Sequence, residues 1–106
     1  MESAKLAPLR NGLLEFLVLD IVSSGEVYVA DVLERLGKTD FATREGTLYP
    51  LLSRMRREGL VDYDWRESTA GPPRKYYRLT QLGRNHLAEF REYWDSLTAL
   101  IDELGR

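Results

Sequence analysis

A chain of 106 residues provides one domain with a modest core, which association with a second copy would help to stabilise. Its 43% hydrophobic and 30% charged residues exclude a disordered chain, and the absence of cysteine excludes a disulfide framework or a thiolate metal site. The net charge of −2 argues against a uniformly basic surface, but Arg44 to Arg84 holds nine basic and five acidic residues against six and twelve elsewhere. A basic middle between acidic ends can present a positive face to phosphate.

In chain order, Gly12 to Ser24 is apolar on nearly every side. It reads as a helix buried all round or covered by a partner chain, with Glu15 and Asp20 as its wet stripe. A second helix is expected from Val27 to Leu36, with Val29, Val32, Leu33 and Leu36 inward and Gly37 as a left-handed stop. A third is expected from Glu45 to Glu58, where Leu48, Leu51, Leu52 and Met55 repeat at helical spacing. Gly59 ends it, and Leu60 packs back against it. Pro50 lacks the N–H that would bond the Gly46 carbonyl, so either the first turn is loose or regular helix begins nearer Tyr49.

Strict alternation follows. Val61, Tyr63 and Trp65 form the half-buried face of a strand, with Asp62, Asp64 and Arg66 on the solvated side. Glu67 to Pro73 reads as a loop, Lys75 to Leu79 as a second strand, and Thr80 as the N-cap of a final helix. Three helices, a hairpin and a long helix predict a mainly α fold with a small β-hairpin. This is a winged helix-turn-helix over residues 1–80, followed by a C-terminal dimerisation helix over 81–106.

On the third helix, Arg44, Glu45, Gly46, Tyr49, Ser53 and Arg57 share the outer side. Small residues let backbone approach DNA, tyrosine bonds phosphate, and arginine neutralises phosphate or reads guanine. Arg66, Arg74, Lys75 and Arg78 lie on or beside the hairpin, whose tip, Thr69 to Pro73, has no acid. Basic residues on both helix and wing favour double-stranded DNA over an ordinary solvated surface.

Glu45-Gly46-Thr47-Leu48-Tyr49-Pro50-Leu51-Leu52, followed by Arg57-Glu58-Gly59-Leu60-Val61, resembles the reader-helix signature of PadR-like transcriptional regulators. Gly71 to Thr80, continued by Leu82-Gly83, resembles that family's wing signature, so the resemblance spans essentially the whole chain. It implies a dimeric repressor of the short, single-C-terminal-helix subclass. The chain departs from the pattern at Arg44, where a capping Ser or Asn is common, and at Pro72, which leaves the wing one arginine short. The DNA-binding set expected is Arg44, Thr47, Tyr49, Ser53, Arg54, Arg57, Arg74, Lys75 and Tyr76.

Leu87, Phe90, Trp94, Leu97, Ile101 and Leu104 recur at spacings of three and four, a heptad seam suited to a second copy of the chain. Trp94 sits mid-seam, where two flat indoles pack poorly. A small planar aromatic or cationic ligand between Trp94, Phe90 and Leu97 is one reading, and a plain interface anchor is the other. Some short PadR-like proteins are multidrug sensors with a tryptophan at a similar distance after the Leu-Thr-x-x-Gly motif.

His86, the only histidine, reads as a helix-surface residue near a junction rather than a metal ligand. No catalytic residues, metal or cofactor are expected, so an enzyme ranks last. Met1 to Arg10 lacks a signal peptide's apolar region, and no apolar run reaches the roughly 20 residues of a membrane span. The expected setting is the cytoplasm, without a membrane partner. These features leave a DNA-binding regulator as the first reading and a winged-helix protein-interaction module as the second.

Overall fold

The computed structural model describes residues 4–106. Helix α1 (Ala7–Val22) is followed by strand β1 (Val27–Tyr28), α2 (Val29–Gly37) and α3 (Glu45–Arg57). The hairpin strands β2 (Val61–Ser68) and β3 (Gly71–Leu79) lead into α4 (Gln81–Leu104). This is the winged helix-turn-helix, with a third short strand that the alternation pattern was too brief to reveal. The strand order is β1-β3-β2, antiparallel throughout, with Val27 opposite Tyr77 and Val61 opposite Leu79.

The core is one cluster in which Val18, Leu19, Leu48, Leu52 and Met55 are fully enclosed. α1 begins a turn and a half earlier than expected, because Pro8 lies in its first turn, where a missing N–H costs nothing. Its expected wet stripe is instead an ion-paired one: Glu15 meets Arg54 of α3, and Asp20 meets Arg91 of α4. α2 ends without a left-handed glycine. Gly37 is its last residue, Lys38 closes it at φ −88°, and the Thr39 hydroxyl donates to the Leu36 carbonyl at 2.8 Å.

α3 is regular from Glu45, so neither a loose first turn nor a start near Tyr49 occurs. Arg44 is its N-cap with extended backbone and no side-chain cap, as the missing Ser or Asn implied. Its far end is a Schellman turn. Gly59 adopts φ +79°, Leu60 N–H donates to the Met55 carbonyl at 2.9 Å, and Gly59 N–H donates to that of Arg56 at 3.0 Å. Leu60 is then buried in the core.

The expected loop is almost all strand. Only Thr69 and Ala70 turn, and Pro72 and Pro73 lie opposite Glu67 in a bulge between the Arg66–Arg74 and Ser68–Gly71 pairs. A bulge beyond the reach of β1 is where a strand tolerates proline, since no ladder N–H is needed there. Thr80 caps α4 as expected, its hydroxyl accepting the Gly83 N–H at 2.9 Å. The same hydroxyl donates to the Gly59 carbonyl at 2.5 Å, so the end of α3 is tied to the start of α4. Leu87 is buried and Phe90 stacks on Phe16 at 3.9 Å, so the first three turns of α4 pack on the chain's own body. Beyond them the helix stands clear: Ile101 is 61% and Leu104 74% exposed.

Candidate nucleic-acid interface

The outer side of α3 and the core-facing side of the wing enclose two adjoining clefts. One, of about 480 Å³, is lined by Ser53, Arg56, Arg57, Tyr63, Lys75 and neighbours. The other, of about 510 Å³, is lined by Tyr49 and Glu45 of α3, Tyr28, Trp65, Pro73, Arg74 and Lys75. Lys75 therefore stands between them, with its ammonium 4.4 Å from the Tyr63 ring and 5.4 Å from that of Trp65. Cation–π contacts of this kind hold a charge in place without neutralising it.

Of the residues expected from sequence, Tyr49, Ser53, Arg57, Arg74 and Lys75 line these clefts. Arg44 and Thr47 are exposed on α3 but line neither. Tyr76 lines neither cleft but packs against Tyr28, which lines the second. Its ring lies 3.7 Å from that of Tyr28, with Arg66 over one ring at 4.3 Å and Arg74 over the other at 5.1 Å. A side-chain hydrogen bond in which the Tyr28 hydroxyl donates to Tyr76 is the first cause holding the Tyr28 phenol above its ordinary pKa. Tyr28 was not singled out in the sequence because a two-residue strand has no periodicity. Its only local signal is Asp31, whose carboxylate accepts the Tyr28 N–H at 2.9 Å to start α2.

The three arginines ending α3 divide by direction. Arg54 bonds Glu15 of α1 at 2.6 Å, Arg56 bonds Asp62 of β2 at 3.2 Å and covers Tyr63 at 4.5 Å, and Arg57 points outward. Arg54, expected among the DNA contacts, is thus drawn to the flank of α3 by a carboxylate 39 residues away, which no local pattern could reveal. The wing's charge is likewise partly spent. Arg66 pairs with Glu26, and Arg78 pairs with Asp64 and Asp62. Asp62 and Asp64 are therefore ion-paired rather than merely solvated. Asp62 is held below the usual carboxylate range by the Tyr63 N–H and then by Arg56. Among the described residues no carboxylate pairs with Arg44, Arg57, Arg74 or Lys75. On α3 and the wing these four keep a positive charge that no ion pair offsets.

Trp65 was expected on the half-buried face with Val61 and Tyr63. Cover runs out before it, because β2 continues past the body as the wing, and Trp65 is 62% exposed beside Lys75. The tip combines an exposed indole, two prolines and two cations without acidic partners. That chemistry suits a groove wall of sugar and phosphate.

The sequence matches the model of the transcriptional regulator PadR-like family over residues 18–89. The chain belongs to the PadR-like family of transcriptional regulators. The fold agrees. A PadR-like transcription factor from Bacteroides fragilis superposes with a TM-score of 0.83 at 35% identity, covering 96% of this chain and 99% of that one. A PadR-like transcriptional regulator from Bacillus cereus gives a TM-score of 0.83 at 36% identity, covering 94% and 98%. A transcriptional regulator of Mycobacterium tuberculosis is 32% identical over 80 residues, 76% of this chain and 74% of that protein. PadR-like membership makes the chain a DNA-binding regulator of transcription and places it in a regulator family, not an enzyme family. No helix among the described residues is long and apolar enough to cross a membrane.

A third concavity, of about 580 Å³, lies between α1 and α4 on the far side of the body. Pro8, Leu9, Gly12, Leu13 and Phe16 face His86, Glu89, Phe90, Tyr93, Trp94 and Leu97 across it. Its aromatic wall is continuous: His86 stacks on Phe16 at 5.2 Å, Phe16 on Phe90, and Phe90 lies 6.0 Å from Trp94. Gly12 has open space where a side chain would stand, which keeps the mouth clear. His86, expected on the surface, is half-buried as part of this wall.

Proposed function

We propose that the chain is a homodimeric repressor that binds a palindromic operator and is released by an aromatic cation held in the α1–α4 groove at the dimer interface. The observation that carries this reading is the bare apolar arm. Trp94, Ile101 and Leu104 of the expected seam, with Tyr93 and Leu100 beside them, are all exposed on a helix whose earlier turns are packed. Leu97 is only half-covered. Water-exposed apolar surface of this extent is uncommon in a monomer and supports a partner, of which a second copy is the simplest. Leu87 is spent within the chain's own core, so the seam between copies runs from Phe90 to Leu104. In this reading residues 1–80 form the DNA-binding unit and 81–106 the dimerisation arm, whose first turns are shared with the body.

The groove supports the ligand part. Stacking on Trp94 and Phe90 favours a flat ring, and Glu89 in the lining, with Glu92 and Asp95 nearby on α4, favours positive charge. Release requires that the ligand prefer a dimer geometry whose reader helices no longer match the half-site spacing. Footprinting on DNA upstream of the chain's own gene tests the reading. Two symmetric half-sites centred about 10 base pairs, or a multiple, apart are expected. In a Trp65→Phe background, an aromatic cation should erase the footprint at the concentrations that quench Trp94. A single asymmetric footprint would refute the dimer on DNA, and quenching with the footprint intact would refute release.

A further inference from the structure

Glu15 lies on α1 between the reader helix and the α1–α4 groove. Its side chain is only 18% exposed. One oxygen, Oε1, accepts from the Arg54 guanidinium of the reader helix at 2.6 Å. The other, Oε2, is 3.6 Å from Nε2 of His86. The His86 ring lines the α1–α4 groove and stacks on Phe16, the next residue after Glu15. The carboxylate is thus strongly bonded on the reader-helix side and just beyond hydrogen-bond distance on the groove side, where a small ring displacement makes or breaks the contact. A charge-assisted hydrogen bond is stronger and more directional than a neutral one, and here a half-exposed guanidinium reaches a largely covered carboxylate, so Arg54 ties the flank of α3 to α1.

We propose that Glu15 is a positioning residue that couples the groove to the reader helix. Whatever moves the His86 ring redistributes the one carboxylate between His86 and Arg54, and so shifts α3 relative to α1. The ligand half of this proposal rests on the function proposed above; the connection between His86 and Arg54 does not. The two opposite flanks of α3 are gripped by Arg54 on Glu15 and Arg56 on Asp62. Slackening one grip tilts the helix about the other and displaces Tyr49, Ser53 and Arg57 together, without removing any phosphate contact.

A double-mutant cycle tests the connection. Binding of the footprinted DNA is measured by fluorescence anisotropy across a salt series for the full chain, Glu15→Gln, His86→Ala and the double variant. Glu15→Gln should weaken binding about fivefold and leave the slope of log Kd against log salt unchanged, because no phosphate contact is lost. His86→Ala should change affinity at least threefold when Glu15 is present and by less than 1.5-fold when it is Gln. Additive effects, native affinity in Glu15→Gln, or a slope changed by about one unit in either direction would each overturn the proposal; the last would make Arg54 a phosphate contact. Circular dichroism establishes folding of each variant, and Arg54→Lys, which shortens the bridge without removing charge, replaces Glu15→Gln if that chain does not fold. Tetraphenylphosphonium then serves as the groove probe. It should weaken DNA binding of the Trp65→Phe chain, and in Glu15→Gln with Trp65→Phe it should still quench Trp94 while its effect on DNA affinity falls at least threefold. A probe that leaves Trp94 of the Trp65→Phe chain unquenched counts against the ligand reading alone, since the cycle decides Glu15 without it.

Discussion

Arg54, Arg56 and Arg57 are near neighbours of one type, yet each has a different task because α3 turns them 100° apart for each step along the chain. Arg57 is the one of the three with no acidic partner among the described residues. Arg57→Ala is expected to weaken DNA binding and to flatten its salt slope by about one unit; Lys75→Ala should do the same from the wing. Filter binding over a salt series checks both, and unchanged slopes in the pair would refute this interface. Arg56 works through Asp62 instead. The Asp62 carboxyl is held below its ordinary range, first by the Tyr63 N–H and then by Arg56. A depressed folded pKa contributes stability above the unfolded pKa, near pH 4, and that contribution is lost as pH falls through the folded value. Asp62→Asn should therefore melt below the parent at pH 7. The gap should close as the pH is lowered below about 4, as followed by thermal circular dichroism. A gap that persists at low pH would mean that Asp62 acts through shape rather than charge.

The elements divide by how far their causes lie along the chain. α4 was legible to the residue, because Thr80 announces its start and apolar spacing carries it to Leu104. The Schellman stop at Gly59 was legible too, since only a residue without Cβ takes φ +79° cheaply there. β1 was not, because two residues have no period and Val27 and Tyr28 join the sheet only through partners 50 and 48 positions away. The early start of α1 and the extension of the wing strands through Pro72 share a reason. Proline removes a hydrogen bond only where one is needed, and helix first turns and bulges need none. Within the interface, the cleft residues followed from which face of α3 is apolar, whereas the ion pairs of Arg54, Arg66 and Arg78 were not legible because their carboxylates lie elsewhere in the sequence or across the strands. The tightest element junction also has a long-range cause. Gly83 opens α4 against the Leu60 carbonyl so closely that any Cβ would fall inside contact distance of that oxygen. Gly83→Ala should push α4 off the end of α3 and cost roughly 1–3 kcal/mol. A urea midpoint equal to the parent's, with the same slope, would show that the junction relaxes freely.

At the scale of the whole molecule, the radius of gyration is 15.6 Å and the long axis 57 Å. A compact domain of this length has a radius near 13 Å. The excess comes from the distal turns of α4, which carry apolar side chains into solvent beyond the reach of the body. The two halves of the seam therefore fail differently when charged. Leu87 lies in the core, so Leu87→Asp buries an unpaired charge in the chain's own fold and should unfold it. Leu97 and Ile101 lie on the arm, half-covered and exposed respectively, where Asp reaches water in a single chain and would be buried only if a second copy covered it. Leu97→Asp with Ile101→Asp should then keep native helical content, sediment as a monomer and lose tight operator binding, because one reader helix spans one half-site. The parent should sediment as a dimer, and its melting temperature should rise with protein concentration, since association stabilises only the folded state. The double variant's melting temperature should be independent of concentration. If it remains a soluble dimer, the apolar arm is not the interface and the repressor reading loses the observation that carries it.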